Sequence, residues 1–538
     1  MSVAKKKTRF TLITIIVVAI IVLSALSVYI LTYKEDAKEE LVAPPETPIT
    51  SLITKTYDEL KKEGWLDKIE IVDDRTSPLT AQAVSLEVNR IRKKGIETQM
   101  RKIGGWFNRV PSYRYEAILN DGLWKSRQIN KWDTDYVGWE AFRKVEGELE
   151  KCTIEFKLYE TQKKLFKTVD VEKDSFTIVY DFRTGRWTGD DYYADEDGYG
   201  YFNGDTFEVW FDVHQSDYDA DGLPYWVEVN LLGTNSTVDD RYLDPDNDGV
   251  STTWEWKWGY DPFTLDDHEK LDPDVDGIEN IEEYGLRKYL ANPYRKDIYV
   301  EVDFMEKEPG LFGDTHMLWE ESQQMVMDKF SEQGITLHID DGIMGGGGDS
   351  LEFYKLYIRQ EGGIASEYYK YHFADERKGV FRYCAVVHFA GWTHPQDYKL
   401  AYDVFAIPCC REVYMDFIPP AILPRQKRIA TACAFMHELG HTLGLRYEDN
   451  HGIDNKTGMG VGMDDLPLLQ RIQKMYGAIK YWGNYESCMN YFKLGTYVLG
   501  YSDGTHGEHD VDDWSMIDLT YFQKHEPDAV EGIEVEVT

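Results

Sequence analysis

Cysteine is scarce in this sequence, with six residues (Cys152, Cys384, Cys409, Cys410, Cys433 and Cys488) in 538. So few thiols exclude a disulfide scaffold and leave the fold to packed cores. Basic residues are also in deficit. The chain carries 59 Lys and Arg against 96 Asp and Glu, a formal net charge of −37. That charge excludes nucleic acid and anionic lipid headgroups as electrostatic partners, because both are polyanions, and it favours Ca2+. Apolar side chains are not lacking. Hydrophobic residues make up 42% and aromatics 14%, enough for ordinary globular cores. The length exceeds what one core fills, so roughly three to four domains are expected.

Charge is missing altogether from 10–31, 22 residues that would span a hydrocarbon core of about 30 Å as a helix. Lys5, Lys6, Lys7 and Arg9 precede this run. The positive-inside tendency therefore predicts a cytoplasmic tail at 1–9, a single-pass membrane anchor at 10–31 and the bulk of the chain outside the cell. Cleavage near Ala25-Leu26-Ser27, giving a secreted chain, is the alternative. Residues 32–78 are charged and then proline-bearing (Ala43-Pro44-Pro45-Glu46-Thr47-Pro48), the composition of a stalk or linker.

Across 79–147, Ala83, Leu86, Val88, Ile91, Ile96, Met100 and Ile103 recur at helical spacing among lysines and arginines. They predict a mainly helical region, either a packing element or a prosegment. In 148–215 the period changes to two, as in Thr153-Ile154-Glu155-Phe156-Lys157-Leu158, and predicts an antiparallel β domain, a sandwich.

Residues 216–293 contain one pattern three times. Asp217, Asp219, Asp221, Gly222 and Glu228 recur as Asp244, Asp246, Asp248, Gly249 and Glu255, then as Asp272, Asp274, Asp276, Gly277 and Glu283. These are the first, third, fifth, sixth and twelfth places of an EF-hand loop. Alternating carboxylates put hard oxygens on one side of a tight turn, glycine permits the bend, and the last glutamate binds through both oxygens. The array, with a period of about 28 residues, resembles thrombospondin type-3-like calcium repeats, which implies structural Ca2+ that stiffens the chain.

The stretch 430–445, ATACAFMHELGHTLGL, sets His437 and His441 one helical turn apart. Both imidazoles then leave one face of a helix and reach one metal, while Glu438, about 100° further round, is placed to take a proton from a metal-bound water. Gly444 permits a sharp exit from the helix back toward that metal, where a third ligand is expected.

Together with Cys488-Met489-Asn490-Tyr491, this HELGHTLG motif resembles the metzincin family of zinc endopeptidases. The resemblance implies an α+β catalytic domain over 294–525, Zn2+ held by His437 and His441, and Glu438 as general base. It also implies Met489 beneath the metal, and Tyr491 acting on the zinc or the substrate oxyanion. A protein or peptide substrate would pair with an edge strand, for which 405–413 is the candidate. The family's third ligand falls six residues after His441, where this chain has Tyr447. Asp449, His451 and Asp454 share the loop, and ligand chemistry favours His451. Residues 526–538 form an acidic tail.

The expected fold class is thus multidomain: a transmembrane helix, a helical segment, an antiparallel β domain, calcium-loop repeats and an α+β metzincin-like catalytic domain. The expected function is that of a membrane-anchored extracytoplasmic zinc endopeptidase. The rival from another class is a calcium-binding surface adhesion or scaffold protein with a degenerate protease module, whose best argument is Tyr447.

Overall fold

Residues 79–147 are built mainly of strands, which corrects the helical expectation. In the computed structural model Ala81–Lys93 forms β1, with Val84, Leu86 and Val88 pointing into a core and wholly buried. A bulge between Val88 and Arg90 then adds one residue, so the next inward side chain is Ile91. The bulge turned a period of two into a spacing that imitates a helix. Among the described residues of that stretch only Ile96–Arg101 (α1) is helical as expected.

The structure describes residues 54–101, 110–164, 167–192, 198–311, 313, 315–354, 364–388, 403–408, 424–459, 463, 465–494 and 497–523. The expected anchor at 10–31, the tail at 526–538, Cys409 and Cys410 lie outside them. Among the described residues no helix is long and apolar enough to cross a membrane.

β1 belongs to a two-sheet antiparallel sandwich that starts well before residue 148. With β2 (Tyr113–Leu119), β3 (Gly122–Lys125), β4 (Trp139–Glu146), β5 (Lys151–Lys164), β6 (Lys167–Asp181), β7 (Trp187–Gly189), β8 (Gly200–Asn203) and β9 (Phe207–Gln215), it forms sheets of order β4-β1-β9-β8 and β3-β2-β5-β6-β7. Phe156, Phe176 and Phe211 stack through the shared core at centroid distances of 4.9 and 4.8 Å. Burying each such ring contributes roughly 1.5–3 kcal/mol.

Beyond the acidic loops the chain changes architecture. β10 (Asp297–Met305), β11 (Thr336–Asp340), β12 (Ser350–Leu351), β13 (Phe381–Val387) and β14 (Val404–Pro408) are parallel, in the order β11-β10-β13-β14 with β12 beside β10. β10 and β13 are near-continuously buried, as expected of a parallel sheet covered on both faces. One face carries α2 (Glu320–Ser331) and α3 (Pro424–Thr442) in a core with Val300, Val302, Val386 and Ile407; the other carries Tyr299, Tyr383, Ala385 and Val404. Near the C-terminal end of the described residues the chain makes a single turn of 3-10 helix, Trp514–Met516.

The sandwich, the acidic loops and the parallel sheet belong to one compact unit. Ile96 and Met100 of α1 sit in the core beneath the parallel sheet. A buried ion pair bolts the sandwich to it, Arg92 of β1 to Asp328 of α2 at 2.7 Å, beside the pairs within the sandwich of Arg92 with Glu208 and of Arg90 with Asp133 at 2.5 Å. Removing one partner of such a pair leaves a buried charge and costs about 3–5 kcal/mol. The fold class is therefore a mixed one of antiparallel sandwich, acidic loops and parallel α/β sheet.

Candidate metal centres

The helix α3 is apolar on its inner side, where Ala432, Cys433, Phe435, Met436 and Leu439 are wholly buried and Phe435 meets Phe405 of β14 edge-on at 5.3 Å. Small residues let α3 approach the sheet closely. At Gly440 any side chain would collide, since a Cβ there would lie 2.8 Å from the sulfur of Met489. The helix ends at Thr442, and the chain turns away at Gly444, whose φ of +88° only glycine adopts readily.

His437 and His441 project from this helix with ring centroids 4.9 Å apart. Each donates its Nδ1–H to a backbone carbonyl, His437 to Cys488 at 2.9 Å and His441 to Leu445 at 2.7 Å. Those bonds fix the tautomer and leave both Nε2 lone pairs facing one point. At that point stands Asp454, with Oδ1 3.3 Å from His437 Nε2 and Oδ2 3.7 Å from His441 Nε2. Two ligand atoms about 2.0–2.1 Å from a tetrahedral zinc lie about 3.3–3.4 Å from each other, so the trio has the spacing of a zinc site. All three residues are buried, at 1%, 4% and 4% exposure.

His451, favoured on ligand chemistry, is elsewhere. It is exposed, its Nδ1–H donates to the Tyr447 carbonyl at 2.9 Å, and its ring lies 4.7 Å from that of Tyr447, itself 47% exposed. Asp449 pairs with Arg446 at 3.0 Å. Asp454 reaches the histidines because the loop runs 13 residues past His441 and then turns through a left-handed residue, Asp454 itself at φ +53°. Its amide donates to the Met489 carbonyl at 2.9 Å. Residues 488 and 489 thus secure two of the three candidate ligands through successive carbonyls. Tyr491 flanks the group, its ring 5.3 Å from that of His437, and Glu438 is half-buried beside it.

Burial alone would lower the His437 pKa, but its bond to Asp454 and the charges of Glu438 and Asp454 outweigh that and push it up to about 9. A metal entering this site displaces a proton.

The acidic loops repeat one geometry. The fourth residue is left-handed in each (Ala220 at +64°, Asn247 at +64°, Val275 at +61°), and so is the glycine two places on. The amides of Gly222, Gly249 and Gly277 each donate to the loop's first aspartate at 3.0 Å. The fifth-place aspartates, Asp221, Asp248 and Asp276, accept a second amide from further along the chain, that of Asp240, Asp266 or Asp297. Sequence reasoning missed this closure, for which the acidic residue 18 to 21 places on was the available signal. Glu228, Glu255 and Glu283 are 1%, 0% and 0% exposed. Both carboxylate oxygens of Glu255 and Glu283, and of Asp219 and Asp246, are buried without a hydrogen bond. Asp244, Asp272 and Asp274 complete the sets. Burial first, and then the loop aspartates, push Glu228 and Glu255 up to about 9 and Glu283 well above its usual range. A hard divalent cation with oxygen ligands fits these donor sets and would reverse those shifts.

No protein-family model matches the chain, and no curated protein does. Among solved structures one match is human GIVD cytosolic phospholipase A2 in complex with methyl gamma-linolenyl fluorophosphonate inhibitor and terbium chloride. It is 12% identical over 26% of this chain and 18% of that one, with a TM-score of 0.17, and carries no argument about fold or activity.

Proposed function

We propose that the chain is a zinc endopeptidase whose metal is held by His437, His441 and Asp454, with calcium in the acidic loops, the activity that the metzincin resemblance of HELGHTLG and CMNY implies. The observation that carries this reading is the approach of Asp454 to both histidines, at 3.3 and 3.7 Å. When bound, zinc supplies a Lewis acid and lowers the pKa of its water from 15.7 toward about 7.

The chain's own residues do the rest. Cys488 and Leu445 hold the imidazoles in the ligating tautomer through their carbonyls. Glu438, on the same helix and about 100° round from His437, accepts the proton of the attacking water and returns it to the leaving amine. Tyr491, beside His437, is the candidate donor to the developing oxyanion. β14 is the outermost strand of its sheet among the described residues, and Val404–Pro408 offers its free edge to an extended peptide. The remainder of the 405–413 candidate lies outside the described residues. A carboxylate in place of a third imidazole lowers the net charge at the metal. The acid limb of the pH–rate profile should therefore lie higher than in a three-histidine site.

The test is zinc per chain by elemental analysis together with cleavage of a denatured protein substrate. One zinc in the wild type, lost in His441→Ala, with peptide hydrolysis abolished in both His441→Ala and Glu438→Gln, is the expected result. Chains without stoichiometric zinc at neutral pH would favour a calcium-stiffened scaffold, the reading that the intact acidic loops alone would support.

A further inference from the structure

The acidic loops form a stack in which each leans on the next. A Cβ on Gly222 of the first loop would lie 3.5 Å from Thr253, on the helix that follows the second loop. One on Gly249 of the second would lie 3.1 Å from Ile281, on the helix that follows the third. The third loop has no repeat after it. Its Gly277 meets Gln523 instead, at 2.9 Å by the same measure. Gln523 donates from Nε2 to the Gly277 carbonyl and, at 3.2 Å, to that of Gly379.

Gln523 ends a short strap whose other end braces the zinc turn. The amide of Asp518 donates to the Leu443 carbonyl at 3.0 Å, and Tyr521 packs on Gly444, where a Cβ would come within 3.2 Å of its ring. The carbonyl of Leu445, next in line, is the acceptor that orients His441. A second arm leaves the same loop through Asp276, whose carboxylate accepts the amide of Asp297 at 2.6 Å; Asp297 opens β10, the inner strand between β11 and β13. Glu283, wholly buried with neither carboxylate oxygen hydrogen-bonded, points to a cation in this loop independently of the acidic cluster.

We infer that a divalent cation in the third loop is coupled to zinc at His437, His441 and Asp454, with Gln523 as the positioning residue that joins the two sites. This rests on the zinc reading above. Without a cation the third loop's carboxylates repel one another, Gly277 loses its fixed geometry, and the strap loses the contact that holds Leu443, Gly444 and Leu445 against the zinc ligands. The first two loops touch the next repeat, not the strap, and serve stiffness alone.

The test is the zinc dissociation constant of the full chain, measured by competition with a chromophoric chelator in calcium-free buffer and in 1 mM calcium. The expected result is tighter zinc binding with calcium by about 5- to 150-fold, the usual span of site coupling, and calcium tightened by the same factor when zinc is bound. Glu283→Gln should abolish the effect and Glu228→Gln should keep it. Gln523→Ala should leave both metals bound and remove the coupling between them. Stoichiometric zinc of equal affinity in both buffers, or coupling lost equally in Glu228→Gln, would overturn this inference and leave the zinc reading standing. No zinc in either buffer would overturn both.

Discussion

The acidic loops and the proposed zinc centre are built in opposite ways. Each acidic loop draws its carboxylates from twelve consecutive residues, and a tight turn brings them together. The proposed zinc group draws two side chains from one helix and the third from a loop whose return is held by a hydrogen bond from Asp454 to the Met489 carbonyl. Local sites are therefore repeated almost unchanged, with the glycine amide at 3.0 Å from the first aspartate in all three. A site assembled from distant segments tolerates a changed ligand, provided another side chain arrives at the same point. On the proposed reading, Tyr447 in place of the metzincin third ligand is such a change, with Asp454 beside the two histidines in its stead.

The sharpest way to break the comparison is to remove chemistry without removing metal. Glu438→Gln should lower kcat by about 10²- to 10⁴-fold at unchanged zinc content, the usual contribution of a positioned base; equal kcat in the two enzymes would remove Glu438 from the mechanism.

Next in size is the third ligand. Asp454→Ala should weaken zinc binding by more than the 10- to 100-fold that loss of an outer-shell partner typically costs, whereas His451→Ala and Tyr447→Phe should leave it unchanged. Zinc titration of the three variants checks this, and the opposite ranking would return the ligand to the near part of the loop.

Calcium removal probes the local sites. At 100 times its Kd each filled loop contributes about 2.7 kcal/mol of stability. Because Glu228 and Glu255 are raised to about 9 in the metal-free fold, that fold binds more protons than the unfolded chain between roughly pH 4.5 and 9. These groups therefore make the calcium-free protein less stable as pH rises through that window, and calcium should cancel the trend. Thermal unfolding at pH 5 and pH 8, with and without calcium, measures it.

A smaller effect concerns protons at the assembled site. His437, raised to about 9 in the metal-free chain, should release about one proton when zinc binds at pH 7, read by calorimetry in buffers of different ionisation enthalpy. Smallest of all, Met489→Leu conserves volume beneath Gly440 and should cost under about 1.5 kcal/mol with zinc content unchanged.

Legibility followed the same division. The two histidines, the glutamate and the acidic loops could be named from spacing because their geometry is set by one helical turn or one tight turn. β1 could not, since the bulge at Val88 and Arg90 gave a strand the apolar rhythm of a helix.

The sequence by itself determined the short-range chemistry: which carboxylates share a loop, which imidazoles share a helix face, and where glycine must bend the chain. Only the tertiary structure decided that Asp454 rather than His451 joins the histidines, that Asp297 closes the third loop, and that Gln523 stands where a fourth repeat would. Those pairings depend on where distant segments are anchored by backbone hydrogen bonds and core packing, and no local spacing encodes the distance between them.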